Sequence, residues 1–349
     1  MKKEKVNLLL IGNCSGVVSG SSLSFKRVHD NVILNNTINT IFINTFRKNN
    51  NLLNNFISSV TVIFNCLKYI YYVDVVSFNS DERAFKYFGP IIYLISRIFQ
   101  KKIVSRVFGG SLDIHYSNLS FIAKYIFRKT IMKSNIVYLQ TDLLINYFSF
   151  LKNSNIIKLP TSRSKNLTNV ESNDVATNFI FTGRICKQKG IHDLINATKN
   201  LKKNIRIDLY GSLTEVGILD LINESKSVNY MGEIRHQNIY QTLIKYDVLI
   251  LPTYWPGEGY PGSIIEAFHC GLPVISTNWR SIPEIVNQNN GIIIPVSSPK
   301  LIRNSILSIH NDTNLFESLK KGSKEASRNF DESIWIKKYI DSLISISNN

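Results

Sequence analysis

The chain has 349 residues, 44% of them hydrophobic and 19% charged, which suits two ordinary globular domains with a core each. Four scattered cysteines (Cys14, Cys66, Cys186, Cys270), with no CxxC pair and no His at ligand spacing, argue against a zinc module or disulfide framework and fit a reducing compartment. The formal charge of +16 is lopsided: residues 1–170 hold 22 Lys and Arg against 7 Asp and Glu, residues 171–349 hold 19 against 18. The first half is therefore expected to face a polyanion or an anionic membrane surface, a plain solvated basic surface being the alternative.

In chain order, short apolar runs alternate with helical patterns in both halves, the sign of parallel α/β units. Val6–Ile11 follows a lysine-rich start but is too short for a signal-peptide core, so a buried strand is expected there. Further strands are predicted at Ile38–Ile43, Val73–Phe78, Ile103–Val107, Ile136–Leu139 and Ile156–Leu159. Asn49–Leu67 lacks charge but carries Asn and hydroxyl side chains, and predicts a buried or interfacial helix, not a membrane span. Pro90–Phe99 is apolar but too short to span. Phe121–Lys133 interleaves Lys124, Arg128, Lys129 and Lys133 with Phe, Ile and Tyr; packing on the sheet and attachment to a bilayer surface both fit it.

The polar stretch Thr161–Ala176 reads as a linker. Strands resume at Asn178–Thr182, Ile205–Tyr210, Val228–Met231, Val248–Leu251, Val274–Ser276 and Ile292–Ile294. Ser333–Ile346 has helical spacing in Ile334, Ile336, Ile340, Leu343 and Ile344. The expected domains are 1–165 and 166–330, with a closing helix in 331–349 that packs back on the first. Ligands of doubly wound sheets lie at the carboxyl ends of the strands.

Residues 247–284, DVLILPTYWPGEGYPGSIIEAFHCGLPVISTNWRSIPE, carry the chemistry. A strand at Val248–Leu251 leads through a Gly- and Pro-rich loop into a helix beginning near Pro261 to Ser263 and ending before Gly271. Gly259, Gly262 and Ser263 would present backbone N–H groups at a helix N-terminus, which suits a diphosphate. Glu258 lies just before that helix and Glu266 about one turn inside it, both suited to sugar hydroxyls. Either Glu alone would default to a solvated helix residue; the pair around this turn shifts the balance.

Glu258 and Glu266, with seven residues between them and the surrounding words LPTYWPGEGYPGSIIEAFHCGLPVIST and SIPEIV, resemble the E-x7-E motif of glycosyltransferase family 4. That resemblance implies an α/β GT-B fold, two Rossmann-like domains facing across a central cleft, and a retaining transfer from a nucleotide-diphospho-sugar. It implies that Glu258 holds donor-sugar hydroxyls near the reacting carbon, that Glu266 binds the ribose, and that the amides of Gly259, Tyr260, Gly262 and Ser263 hold sugar and diphosphate. FTGRICKQKGIHDLI is similar to the family's G-R-x4-K-G pattern, in which Gly183 turns the chain and Arg184 and Lys189 clamp the diphosphate. Two cations at a helix start oppose its dipole unless an anion sits there. Met231-Gly232-Glu233-Ile234 occupies the place where family members contact the base.

The resemblance covers the first domain loosely. After the first strand, Gly12-Asn13-Cys14-Ser15-Gly16 fits a loop closing on the donor, with Gly16 the candidate contact. Gly109, Gly110 and Ser111 follow a central strand and form the expected acceptor side, with Asp113 first and His115 second as candidates to contact the sugar or acceptor hydroxyl. A helix-capping Asp113 is the structural alternative.

No DxD pair occurs, so no metal or other cofactor is expected, and neither GxGxxG nor a P-loop is present. The expected partners are the nucleotide-sugar donor, a saccharide or lipid-linked acceptor and an anionic membrane surface. The expected location is cytoplasmic, peripheral at the inner face of the cell membrane. Two alternatives are a sugar-nucleotide epimerase of the same fold and a nucleic-acid binder suggested by the charge. The first lacks this motif. The second lacks a recognised module or basic–aromatic stacking surface, so no nucleic acid is expected.

Overall fold

The computed structural model describes residues 5–14, 20–46, 52–152, 155–164, 173–199, 201 and 204–348, without the side chains of 52–57. The chain forms two compact units, one of residues 1–160 with 333–349 and one of 161–332. The change of unit after Pro160 falls five residues before the boundary expected at 165.

The first unit runs β1 (Val6–Gly12), α1 (Gly20–Ile33), β2 (Ile38–Asn44), α2 (Leu52–Tyr69), β3 (Val75–Asp81), α3 (Glu82–Tyr87), α4 (Gly89–Ile98), β4 (Lys102–Phe108), α5 (Leu112–Ser117), α6 (Phe121–Lys129), β5 (Ile136–Leu139), α7 (Asp142–Tyr147) and β6 (Ile156–Lys158). Its strands form one parallel sheet in the order β2-β1-β3-β4-β5-β6. Both faces are covered, so the strands read as continuous apolar runs. Along β1, Leu9 and Ile11 face the layer that contains α3 to α7. Leu8 and Leu10 face α1 and the last helix, Glu332–Ser347. That last helix buries Ile336, Tyr339, Ile340 and Leu343. Ile334, predicted to share its inner stripe, is exposed. Tyr339 takes the central place because β3 supplies polar partners: its hydroxyl bonds Ser77 Oγ at 2.5 Å and accepts from Asn79 Nδ2 at 3.2 Å.

The second unit runs β7 (Asn178–Thr182), α8 (Ile191–Thr198), β8 (Arg206–Tyr210), α9 (Ile218–Asn223), β9 (Val228–Tyr230), α10 (Ile239–Leu243), β10 (Val248–Leu251), α11 (Gly262–His269), β11 (Val274–Thr277), β12 (Gly291–Ile294), α12 (Pro299–Asn311) and α13 (Thr313–Ser327). Its parallel order is β12-β11-β10-β7-β8-β9. From β7 the chain first builds outward through β8 and β9, then returns to add β10, β11 and β12 on the other side. The strand order therefore reverses between β7 and β10, and in such sheets ligands bind outside the carboxyl ends at that point. Among the described residues, no helix is long and apolar enough to cross a membrane.

Candidate functional site

The loops after β7 and β10 meet at this reversal. Gly183 has φ +147° directly after β7, a value side-chain-bearing residues rarely adopt, and Gly190 has φ +77°. A Cβ on Gly190 would lie 2.1 Å from the Pro252 carbonyl oxygen, so only glycine lets the two loops close. Tyr254 N–H then donates to the Gln188 carbonyl at 2.9 Å.

Lys189, at the end of the short turn Lys187–Lys189, points its ammonium at the second loop. Glu258 Oε2 accepts from Lys189 Nζ at 2.6 Å and from Thr253 Oγ1 at 2.8 Å; its Oε1 takes part in neither bond. Both members of this ion pair are about nine-tenths buried. The anion that a lysine at a helix start requires is thus supplied by the chain itself. Arg184 lies over Trp255, its Cζ 4.1 Å from the ring centroid. Among the described residues, no carboxylate lies within ion-pair distance of it.

Helix α11 starts at Gly262 with Pro261 as its cap residue, and Gly271 follows its end at φ +72°. The N–H groups of Gly262 and Ser263 belong to the first turn, which has no intrahelical acceptors. Gly259, Gly262 and Ser263 are half-buried, so their backbone is approachable. Tyr260 is buried, and its hydroxyl donates to Glu284 Oε2 at 2.5 Å, which leaves only its backbone for the loop.

Glu266, one turn into α11, accepts from Arg163 Nε at 2.8 Å, and Arg163 is 3% exposed. Thr161 and Arg163 begin the stretch expected as a linker. Instead, Arg163 is pinned as a short parallel bridge: its N–H donates to the Phe330 carbonyl and its carbonyl accepts from Glu332 N–H, both at 3.0 Å. Its guanidinium occupies the space a side chain on Gly262 would need; a Cβ there would lie 2.1 Å from Nη2. Of the rest of the expected linker, 165–172 lies outside the described residues and Ala176 is buried in the core of the second unit. Gly232, in the expected base-contact segment, has φ +85°, and its carbonyl accepts from Gly211 N–H at 2.9 Å.

In the first unit, Gly16 lies outside the described residues. The glycine loop after β4 is held from two sides. Gln140 Oε1 accepts from Gly109 N–H at 2.9 Å, and Glu82 Oε1 accepts from Ser111 N–H at 3.2 Å and from its hydroxyl at 3.1 Å. Gly109 has φ +107°, and a Cβ there would strike the Glu82 carboxylate. Burial pushes the Glu82 carboxyl above the ordinary carboxylate range, opposed by the bonds from Ser111 and the charge of His115. Asp113 is buried in the first turn of α5 and is not its cap residue, which is Ser111; His115 is half-exposed on the same helix.

Reading the sequence missed Arg163, Thr253, Trp255 and Glu82. The glycine at 262 was the only sequence trace of Arg163. Among the described residues, no three His, Cys, Asp or Glu side chains are grouped to hold a metal ion.

Comparison with known proteins bears on this site. The family model described as Glycosyl transferases group 1 matches residues 176–312. The capsular polysaccharide biosynthesis glycosyltransferase CapM of Staphylococcus aureus is 30% identical over 173 residues, 45% of this chain and 43% of that protein. The N,N'-diacetylbacillosaminyl-diphospho-undecaprenol alpha-1,3-N-acetylgalactosaminyltransferase of Campylobacter jejuni is 25% identical over 165 residues, 46% of this chain and 43% of that protein. The matched stretch spans less than half the length of either relative. Among solved structures, HepE of Anabaena in complex with UDP and glucose has a TM-score of 0.73 at 16% identity, over 97% of this chain and 100% of that one. The fold is GT-B, and the second unit is similar in sequence to the group 1 glycosyl transferases.

Proposed function

We propose that this chain is a retaining glycosyltransferase that moves a sugar from a nucleotide-diphospho-sugar to a hydroxyl of a saccharide or lipid-linked saccharide in surface-polysaccharide synthesis. The observation that carries this reading is the pair Glu258 and Glu266 on either side of the α11 N-terminus at the strand-order reversal, each bonded by a cation of its own. The names of CapM and of the Campylobacter jejuni enzyme support polysaccharide and lipid-linked acceptors, and the UDP in HepE supports a nucleoside diphosphate.

The roles follow from the chemistry. The departing diphosphate gains negative charge as the glycosidic bond breaks. Arg184, the spare N–H donors of the Lys189 ammonium and the Gly262 and Ser263 amides would stabilise it. Glu258, one oxygen fixed by Lys189 and Thr253, offers the other to sugar hydroxyls; Glu266, fixed by Arg163, does the same for the ribose. The acceptor oxygen bonds to the anomeric carbon on the face from which the phosphate leaves, and a phosphate oxygen takes the hydroxyl proton. This keeps the configuration and calls for no metal or enzymic base. Gly109, Gly110, Ser111, Asp113 and His115 form the acceptor side, and the enzyme works in the cytoplasm at the membrane's inner face.

The test is thermal unfolding against a panel of nucleoside diphosphates, followed by nucleotide release with a lipid-linked acceptor. A true ligand at a hundred times its Kd stabilises by about 2.7 kcal/mol. If no nucleoside diphosphate raises the melting temperature, the donor-site reading fails.

A further inference from the structure

The helix layer over one face of the first sheet turns three apolar stripes outward. On α2, Val60, Phe64 and Leu67 are exposed, and the series continues to Tyr71 just beyond the helix. Tyr87, Ile91, Leu94 and Ile98 repeat the same intervals across α3 and α4. On α6 the outward residues are Phe121, Ile122, Tyr125 and Ile126, with Phe121 79% exposed. The inner sides of the same helices bury Cys66, Ile92, Ile95 and Phe127 in one core cluster. The stripes therefore lie on the side away from the sheet, on neighbouring elements of one layer. Helix α2 packs on α4, α4 packs on the turn Ile131–Lys133 that follows α6, and Tyr71 meets Phe99 edge-on at 4.8 Å.

Charge says what covers this face. None of α2, α4 and α6 contains a carboxylate, and residues 83–141 hold ten Lys and Arg against Asp113 alone, which is buried. Cations sit beside the aromatic rings: Lys86 Nζ is 4.5 Å from the Tyr87 ring centroid and Lys129 Nζ 5.9 Å from that of Tyr125. Aliphatic groups flanked by tyrosines and lysines match the boundary between acyl chains and headgroups. A second copy would bring two cationic faces together, and a nucleic acid offers Ile and Leu nothing to bind.

We infer that α2, α4 and α6 form a docking surface for an anionic lipid bilayer, with the apolar stripes seated among acyl chains and the lysines on lipid phosphates. This inference rests on the placement at the membrane's inner face proposed above and deepens it; its test measures binding alone, so its failure would leave the transfer reaction standing. Full-length protein is co-sedimented with vesicles of mixed phosphatidylglycerol and phosphatidylcholine, and of phosphatidylcholine only. Binding to the mixed vesicles is expected at low salt, weakened but not abolished by high salt.

Two variants that keep the wild-type melting temperature separate the contributions. Phe64→Asn with Leu94→Asn, Ile98→Asn and Phe121→Asn removes apolar contact at constant charge. Lys86→Gln with Lys124→Gln and Lys129→Gln removes charge. Each should weaken binding about 100-fold. Three results would overturn the inference: no binding to anionic vesicles; full retention by the Asn variant, with equal binding to an RNA homopolymer; or a dimer in light scattering that the Asn substitutions dissolve.

Discussion

Replacing Gly262 by alanine should break an ion pair that the substituted residue does not itself belong to. The new Cβ would lie 2.1 Å from Arg163 Nη2, against 3.4 Å or more for an ordinary contact, so the guanidinium must retreat by over an ångström. A flexible side-chain end often yields cheaply. Here yielding means losing the 2.8 Å bond from Nε to Glu266 inside a site where both partners are largely buried. Breaking a buried pair costs about 3–5 kcal/mol, and the partial exposure of Glu266 favours the lower end. Alanine for glycine at an unstrained helical position returns about 0.4–1 kcal/mol. The net loss is about 2 kcal/mol, or roughly 4–8 °C in melting temperature for a domain of this size.

The assay is a double-mutant cycle by chemical denaturation, with Arg163→Met as the second substitution. In the Met background the obstructing guanidinium is gone, so Gly262→Ala should be neutral or slightly stabilising. An equal cost of Gly262→Ala in both backgrounds, to within about 0.5 kcal/mol, would refute the argument that Gly262 exists to seat Arg163.

Glu258→Ala should abolish transfer while nucleotide still binds; retained turnover would remove Glu258 from the reaction. Arg184→Ala should lower nucleoside-diphosphate affinity roughly 10- to 150-fold by calorimetry, as expected for a lost charge-assisted bond, and Lys189→Ala should lower it less while destabilising the second unit. Unchanged affinity in both variants would refute the clamp. Glu82 has a folded-state pKa raised by burial, so the folded protein holds its proton more tightly and stability falls as pH rises through that folded value. Glu82→Gln should flatten this slope and gain most over wild type near neutral pH; parallel stability–pH curves would refute it. Tyr339→Phe leaves Ser77 and Asn79 without their shared hydroxyl and should cost about 1–3 kcal/mol, read from denaturation midpoints.

The twelve strands among the described residues were legible in the sequence, because a parallel strand covered on both faces is a short apolar run that little else imitates. The edges were less so: Val73 is buried yet precedes β3, which begins at Val75. The two loops at the strand-order reversal could also be read, since their glycines and prolines mark turns at the carboxyl ends of strands. What could not be read were contacts spanning long sequence separations. Arg163 and Glu266 are 103 residues apart, and an arginine in a polar run looks like solvated chain until its partner is known. Glu82 is the first residue of α3, and only the Gly109 turn, brought beside it by the pairing of β3 with β4, shows where its carboxylate lodges. In the last helix, spacing alone could not choose between stripes, and Ile334 lost to Tyr339 because β3 carries Ser77 and Asn79.

The charges at the proposed donor site divide by partner, and that division bears on how a diphosphate would be held. Glu258 with Lys189 and Glu266 with Arg163 are two internally compensated pairs, so they contribute little net field and serve chiefly to fix carboxylate oxygens in place. Among the described residues Arg184 has no such carboxylate partner, and it rests on an indole face, which orients a guanidinium without neutralising it. The net attraction for an anion at this end of the sheet then comes from Arg184 and the first-turn amides of α11. Sequence resemblance gives Arg184 and Lys189 the same task. Under the proposed function their surroundings would give them different shares of it: Arg184 would supply a charge that no carboxylate pairs among the described residues, and Lys189 would hold the glutamate that meets the sugar.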